Sequence, residues 1–214
     1  IMEATFKDAG MKLLPENWFP VLNFFSLTEF SPPAKANGVI RLVWFSQYIS
    51  GGRGLELLLP SLSKFGSSVE LHLFGNIDSD YYNMHFASRS NVLIHNPLPQ
   101  RELHLRLSTF DAGLALEPAK DRNNELALSN KILAYAQAGL YILATDTPAQ
   151  ADFIDSNPGC GRCFVIDKAN AEIALKETII NIQEIRKTRL NRFQYFRSKN
   201  WETESAVLLK TWMS

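Results

Sequence analysis

The sequence predicts an α/β protein in which a Rossmann-like parallel sheet carries helices on both faces. The first observation is a set of short runs that are apolar throughout and rich in β-branched or aromatic residues, as in strands buried on both faces. The second is that segments of helical length separate these runs, and strands that alternate with helices form βαβ units. The six predicted strands are residues 39–45, 69–74, 92–95, 112–116, 141–144 and 164–166.

Each segment between two strands can be assigned to a helix on its own pattern. Leucines at helical spacing mark residues 55–65, and a polar composition marks a surface helix at 79–88. The C-terminal part, 169–212, is predicted to be helical with a break near 198–201. The other predicted helices are residues 100–108, 129–138 and 149–156.

We divide the chain into a leading segment or interdomain linker at residues 1–33, a Rossmann-like domain at 34–198 and a C-terminal helix at 199–214. The prolines and phenylalanines of residues 17–33 favour an extended linker. The chain begins Ile1-Met2, so we expect a piece of a longer protein.

The bulk composition excludes several classes of function. The 22 basic and 22 acidic side chains balance, which gives no reason to expect a nucleic-acid or anionic-membrane surface. No apolar run approaches the roughly 20 residues that span a bilayer, and no signal peptide is evident. We therefore expect a cytoplasmic protein.

The two cysteines stand three positions apart at Cys160 and Cys163. The histidines lie far upstream, so half a zinc site is disfavoured. A redox pair would follow an early strand, whereas these residues precede a late one. We interpret residues 160–163 as a turn that carries two thiols.

In a sheet of this kind, ligands bind beyond the carboxyl ends of the strands. The first such loop, residues 46–53, holds Gly51, Gly52 and Arg53 just before a helix. Paired glycines let the backbone approach a ligand closely, and a guanidinium matches phosphate. The loop therefore favours a phosphate contact, and the alternative is a flexible turn with a solvated arginine.

The loop after the fourth strand is the longest, and it ends at Lys131 in the mouth of a helix. Helix N-termini carry unpaired N–H groups and the positive end of the peptide dipole, so they suit an anion. Long loops in compact domains are usually functional or mobile. Its polar residues include Glu117 and Glu125, and the alternative is a solvated loop.

Two other loops give weaker signals. Gly75 follows the second strand and could merely turn the chain. His95 ends the third strand, and a nucleobase could lie against the loop that follows it, although a lone histidine is more often structural. We find no set of residues typical of a Ser-His-Asp or Cys-His nucleophile and no metal-ligand cluster. The chemistry that remains is anion binding, in which cations stabilise a diphosphate as a leaving group.

Taken together and in order, several segments resemble the C-terminal, nucleotide-sugar-binding domain of a GT-B glycosyltransferase of the family-4-like, retaining type. Asn130-Lys131 with Tyr135 and Gly139 resembles the family pattern Asn-Lys-x-x-Glu-Tyr-x-x-x-Gly. The other matching segments are residues 19–23, 42–45 with 53–56, 70–75, 92–103, 111–115 and 201–202. Three positions depart from the pattern: the family's glutamates fall on Ala134 and near Leu126, and Tyr141 replaces a proline.

The resemblance implies one half of a GT-B fold that binds a nucleotide-diphosphate sugar and transfers the sugar with retention and without a metal or cofactor. It implies that Arg53 and Lys131 act on the diphosphate. It further implies a donor site formed by Gly51, Gly52, Gly75, His95, Asn96, Leu98, Glu117, Asn124, Glu125, Ser129, Asn130 and Thr147.

In this family the acceptor site belongs to an N-terminal domain, so the resemblance implies that this chain binds nucleotide without turnover. That domain would be its partner, at the inner face of the membrane, in the synthesis of polysaccharides. Two alternatives remain: a non-catalytic module that binds nucleotide sugars, and a domain like those of sugar-nucleotide epimerases.

Overall fold

The computed structural model describes residues 21–36, 38–118 and 125–213. Six strands form one sheet in which every pair of neighbours is parallel. Their order across the sheet is β3-β2-β1-β4-β5-β6, which is the doubly wound order of Rossmann-like folds. The predicted fold class is therefore confirmed. The strands are β1 Ile40–Ile49, β2 Val69–Ile77, β3 Val92–His95, β4 Ala112–Ala115, β5 Tyr141–Thr145 and β6 Gly161–Phe164.

Helices cover both faces of this sheet, as predicted. The helices are α1 Leu55–Leu62, α2 Ser79–His85, α3 Gln100–Leu107, α4 Asn130–Gln137, α5 Pro148–Asp155, α6 Lys168–Ile180, α7 Ile182–Lys187, α8 Arg189–Phe196 and α9 Trp201–Trp212. Each face has its own apolar core: α1, α2, α6 and α7 cover one face, and α3, α4, α5 and α8 cover the other. In the part of the chain that the structure describes, no helix is at once long and apolar enough to cross a bilayer.

The order of the strands defines where a ligand can bind. The chain moves outward from β1 to β3 and then returns to place β4 on the other side of β1. The connections therefore diverge between β1 and β4, and a crevice opens beyond the carboxyl ends of these strands.

Two strands run further than the apolar pattern predicts. β1 continues to Ile49 and β2 to Ile77, so residues 46–49 are strand and not loop. The pairing of the two strands shifts register between Phe45 and Tyr48, which marks a bulge. The extension escapes detection because it is polar, and Tyr48 is exposed.

The last strand begins three residues earlier than predicted and ends two residues earlier. Cys163 belongs to β6, so the prediction of a turn carrying both thiols was wrong for this residue. Gly161 permits the shift, because a Cβ atom there would lie 2.3 Å from the carbonyl oxygen of Ile142 on β5. Burial raises the pKa of the Cys160 thiol to about 12 and that of Cys163 to about 11, so neither resembles an activated redox thiol.

The described part of the leading segment packs on the domain. Phe24 and Phe30 are buried with the helices of the α3/α4 face. The side chain of Gln137 accepts a hydrogen bond from the N–H of Phe25 and donates one to its carbonyl, both at 2.9 Å. The predicted break before α9 is confirmed, and α9 begins at Trp201, whose N–H donates to the same Phe25 carbonyl.

Candidate functional site

A cleft of about 570 Å³ lies at the carboxyl edge of the sheet, between the N-termini of α3 and α4. One part of its wall is apolar and consists of Phe25, Phe45, Phe74, Pro97, Leu98 and Leu103. The other part is polar and consists of Ser46, Gln47, Gln100, His104, Ser129, Asn130 and Lys131. An apolar concavity with a few convergent polar groups is the usual form of a small-molecule site.

Lys131 is the cation that the structure places in this cleft. Its ammonium nitrogen lies 3.0 Å from Oε1 of Glu117 and 5.9 Å from the centre of the Trp44 ring. The same carboxylate oxygen accepts a hydrogen bond from the Ser129 hydroxyl at 3.0 Å. The side chains of Lys131 and Glu117 are only 16% and 13% exposed, so the ion pair is held well out of solvent.

The loop that carries Glu117 is fixed from the neighbouring strand. The backbone N–H of Glu117 donates to the hydroxyl of Thr145, and this hydroxyl donates to the Glu117 carbonyl, both at 2.9 Å. The buried amide of Gln150 in turn donates to the Thr145 carbonyl at 3.0 Å. The ends of β4 and β5 therefore hold the partner of Lys131 in place.

α4 lies close to the sheet because Gly113 leaves room for it. A Cβ atom on Gly113 would lie 2.3 Å from the ring of Tyr135. The hydroxyl of Tyr135 donates towards the carbonyls of Val43 and Leu114 at 3.4 and 3.3 Å. Ala134 stands where the resembled family has a glutamate. Its methyl side chain is fully buried in the core, and this position offers no carboxylate to a ribose.

The glycine-rich loop after β1 lies beside the cleft, and its arginine does not line it. Arg53 is exposed. Gly54, the next residue, packs against Leu116, which directly precedes Glu117. Arg53 therefore lies at the same edge of the sheet as Lys131, outside the cleft wall.

The backbone of this loop is already hydrogen-bonded within the protein. The N–H of Gly52 donates to Oε1 of Glu56 at 2.9 Å, and the Tyr81 hydroxyl donates to the same oxygen at 2.7 Å. Burial alone would raise the pKa of Glu56, but these hydrogen bonds outweigh it and leave the pKa below its usual value. Gly51 is exposed beside them, with Glu56 and Tyr81 3.6 Å from where a Cβ would lie.

Gly75 supports the site from beneath. A Cβ atom on this residue would lie 2.4 Å from the carbonyl oxygen of Ser46, a cleft residue. Glycine is therefore required where β2 approaches the bulge of β1.

The remaining predicted residues have varied surroundings. Thr147 is buried before α5, and its hydroxyl has no hydrogen-bond partner among the described residues. His95 packs behind Phe74, while Asn96 and Glu125 are exposed. None of these four residues lines the cleft. Asn124 lies outside the described residues.

Sequence reasoning missed several cleft residues because they read as core or as ordinary surface. Phe45 and Phe74 close two apolar runs, which gives them the pattern of buried strand residues. Gln47 lies in the polar extension of β1, and Gln100 and His104 lie one turn apart on α3. Their shared signal is position, since each lies near or beyond the carboxyl end of a strand.

Asp111 resembles a family position but lies away from the cleft. Its carboxylate accepts two hydrogen bonds from the guanidinium of Arg186, at 2.8 and 2.9 Å, at the start of β4. This pair ties α7 to the amino edge of the sheet. The described residues contain no cluster of three or more His, Cys, Asp or Glu side chains that could hold a metal ion.

No protein-family model and no curated protein sequence matches this chain. Solved structures do match. Anabaena HepE in complex with UDP has a TM-score of 0.73 at 14% identity, over 99% of this chain and 61% of its own. Sucrose-phosphate synthase from Thermosynechococcus elongatus has a TM-score of 0.70 at 14% identity, over 99% of this chain and 55% of its own.

A third match is S. aureus TarM in complex with UDP and sugar ligands, with a TM-score of 0.70 at 14% identity, over 99% of this chain and 42% of its own. This chain thus spans 42–61% of the length of these proteins. These structures are GT-B glycosyltransferases, so the predicted resemblance to half of a GT-B fold is confirmed at the level of the fold.

Proposed function

We propose that this chain is the donor-binding part of a glycosyltransferase, which holds a nucleotide-diphosphate sugar while the sugar passes to an acceptor. The observation that carries the proposal is Lys131 at the N-terminus of α4, lining a cleft whose wall also contains aromatic side chains. The HepE fold has been solved with UDP and with UDP-glucose, which supports a nucleotide sugar as the ligand. The acceptor is left open.

The diphosphate would lie in the part of the cleft at the N-terminus of α4. The ammonium of Lys131 and the first-turn N–H groups of α4 converge there, and Ser129 and Asn130 line the same wall. A cation and a helix dipole both stabilise the charge that develops on a departing nucleoside diphosphate. We propose that these groups replace a metal ion, and that Arg53 adds a second contact from the rim.

The base would lie against the apolar side chains of the cleft wall, which include Phe45, Phe74 and Leu98. Aromatic and aliphatic walls accept the flat face of a nucleobase regardless of its hydrogen-bonding edge. With the diphosphate at Lys131, the sugar would point towards the loop after β4, where Glu117 lies. Retention of the anomeric configuration is part of this proposal, as in the family that the sequence resembles.

Glu117 has a defined part in this arrangement. Its carboxylate neutralises Lys131, which keeps a largely buried ammonium from being unpaired. A diphosphate would compete for the same ammonium. The Ser129 hydroxyl is within reach of the carboxylate and would continue to donate to it.

A non-catalytic nucleotide-sugar module is the second candidate, and Ala134 is the observation that favours it, because no ribose-binding carboxylate is offered from α4. No observation favours the epimerase alternative: among the described residues the lining of the cleft contains no carboxylate, and the carboxylate beside it, that of Glu117, is paired with Lys131.

Calorimetric titration of the 214-residue chain with UDP, GDP, ADP and pyrophosphate tests the proposal. We expect saturable binding of at least one nucleotide, unchanged by EDTA, and a loss of about tenfold or more in affinity in Lys131→Ala. Lys168→Ala is the matched control, because Lys168 also begins a helix but lies exposed at the start of α6.

Three outcomes would count against parts of the proposal. Absence of binding by every nucleotide would overturn the donor site, and equal binding by Lys131→Ala and wild type would overturn the role of this lysine. A strict requirement for Mg²⁺ would overturn the metal-independent part. Release of UDP from UDP-glucose distinguishes the two candidates: we expect none from this chain alone, and transfer only when an acceptor-binding domain is supplied.

A further inference from the structure

We propose that Glu70, His72 and His95 form a hydrogen-bonded row that positions the nucleobase wall of the cleft. The inference rests on the proposed function. Glu70, His72 and Phe74 are every second residue of β2, so their side chains share one face of the sheet. Nε2 of His72 lies 3.2 Å from Oε2 of Glu70, and Nδ1 of His72 lies 2.9 Å from Nε2 of His95.

The row ends against two parts of the cleft wall. His95 pairs with Phe74 across β2 and β3, and its ring lies on the Phe74 ring with centroids 4.5 Å apart and planes 19° apart. Phe74 lines the cleft. His95 also leads directly into the loop whose Pro97 and Leu98 line the cleft, so it acts on the wall through its neighbours.

The hydrogen bonds impose one arrangement of protons. An ionised Glu70 can only accept, so Nε2 of His72 donates to it. The neutral His72 ring then has a bare Nδ1, which accepts from the Nε2–H of His95. Each link carries a single proton, and His95 is left with an unprotonated Nδ1.

The surroundings keep both rings neutral. Burial lowers the pKa of His72 and of His95, and Arg106 from α3 lowers both further. Glu70 raises the pKa of His72 and so opposes this shift, whereas Arg41 from β1 lowers it further. Nε of Arg41 lies 3.4 Å from Oε2 of Glu70. Edge contact with the Phe110 ring, 5.0 Å from the ring of His72, completes the enclosure.

Protonation of His72 would disturb the row. The added proton would occupy Nδ1, which faces the Nε2–H of His95 at 2.9 Å, and two donors cannot share that contact. The hydrogen bond must then break, or His95 must move its own proton from Nε2 to Nδ1, and either change removes the arrangement that holds its ring against Phe74. We therefore expect nucleotide affinity to fall below neutral pH, beyond any change in pyrophosphate affinity.

NMR of the imidazole nitrogens tests the arrangement without any ligand. At neutral pH we expect both rings to be neutral, with the proton on Nε2 and a bare Nδ1. A proton on Nδ1 of either ring in the neutral protein would overturn the inference.

Binding measurements test the consequence. His72→Phe keeps an aromatic ring in the stack and removes both hydrogen bonds. We expect it to weaken UDP binding about tenfold and to change pyrophosphate binding by less than about twofold. His85→Phe is the matched control, because His85 packs on Tyr81 at the opposite face of the sheet.

The outcomes separate the inference from the function on which it rests. If wild type binds UDP and His72→Phe binds it equally well, the inference is wrong and the donor site stands. Equal weakening of UDP and pyrophosphate would indicate a general loss of structure and would also overturn it. If wild type binds no nucleotide, the proposed function fails and the inference fails with it, whatever the NMR shows.

Discussion

The position of Lys131 in the cleft depends on Gly113, a residue that it does not touch. α4 carries the lysine to the cleft, and the helix can lie close to the sheet only where Tyr135 has space above β4. Gly113 provides that space, since any side chain there would overlap the Tyr135 ring. A glycine inside a strand is therefore part of the cation site, because it sets the depth of the helix that carries the cation.

We expect Gly113→Ala to destabilise the fold by about 3 kcal/mol, because a buried methyl group must displace a tightly packed ring. Urea unfolding followed by circular dichroism measures this. Gly51→Ala is the control: Gly51 has no positive φ and only ordinary contacts at 3.6 Å, so we expect a change within about 0.5 kcal/mol. Equal effects of the two substitutions would contradict the packing argument.

At the scale of elements, the described part of the leading segment, residues 21–33, behaves as part of the domain. A single-turn 3₁₀ helix at Leu27–Glu29 brings the carboxylate of Glu29 to α3, where it accepts from Gln100 at 3.0 Å and lies 2.7 Å from Nδ1 of His104. The two hydrogen bonds between the Gln137 side chain and the backbone of Phe25 form a clamp on the other side, and Phe25 lines the cleft between this clamp and the Glu29 contact. The segment thus contributes to the cleft wall while it is held by α3, α4 and α9.

The clamp gives a prediction of its own. In Gln137→Leu the N–H of Phe25 loses its partner, whereas the carbonyl of Phe25 keeps the N–H of Trp201. One unpaired N–H should cost about 1–3 kcal/mol of unfolding free energy and should speed hydrogen exchange at Phe25. The control is Gln194→Leu, an exposed position on α8. Unchanged exchange at Phe25 would mean that the aromatic contacts alone hold the segment.

The sequence predicts elements where pattern and position agree. The apolar runs predict all six strands, because burial on both faces leaves a continuous apolar pattern. The segments of helical length between these runs predict the helices that connect the strands. It fails where a strand is polar or lies at an edge: β1 beyond Phe45 has no apolar pattern, and edge strand β6 begins at a glycine. Lys131 could be predicted from its helix start, but whether Arg53 enters the cleft depends on loop geometry that no local pattern records.

At the scale of the whole molecule, the order of the strands assembles the site from residues distant in sequence. Ser46 and Phe74 lie near the carboxyl ends of β1 and β2, and Leu98 follows β3. Lys131 lies in the first turn of the helix that leads back towards the sheet after β4. Each loop alone gives a weak functional signal. The parallel sheet brings them to one edge, so the prediction of a site depended on predicting the fold first.

The same organisation places three histidines on one face, His104 buried and His72 and His95 half-buried, and this predicts how stability depends on pH. Burial lowers the pKa of His72, His95 and His104 below the usual 6.5, although Glu29 opposes the shift at His104 and Glu70 at His72. Between the lowered values and 6.5, the unfolded chain binds more protons than the folded chain. The contribution of these histidines to the free energy of unfolding is therefore complete above pH 6.5. It falls as the pH drops through this window and levels off once the folded histidines are protonated.

Urea midpoints measured from about pH 8 down to pH 5 should follow this course. Folded-state carboxylates with lowered pKa values, such as Glu56, act only in a separate window below 4.5. In His104→Gln one titrating group is removed while the amide can still donate to Glu29, so the decline should be shallower than in wild type. A midpoint that stays constant or rises on acidification would show that the folded histidines take up protons as readily as the unfolded ones, and that their burial does not favour the neutral form.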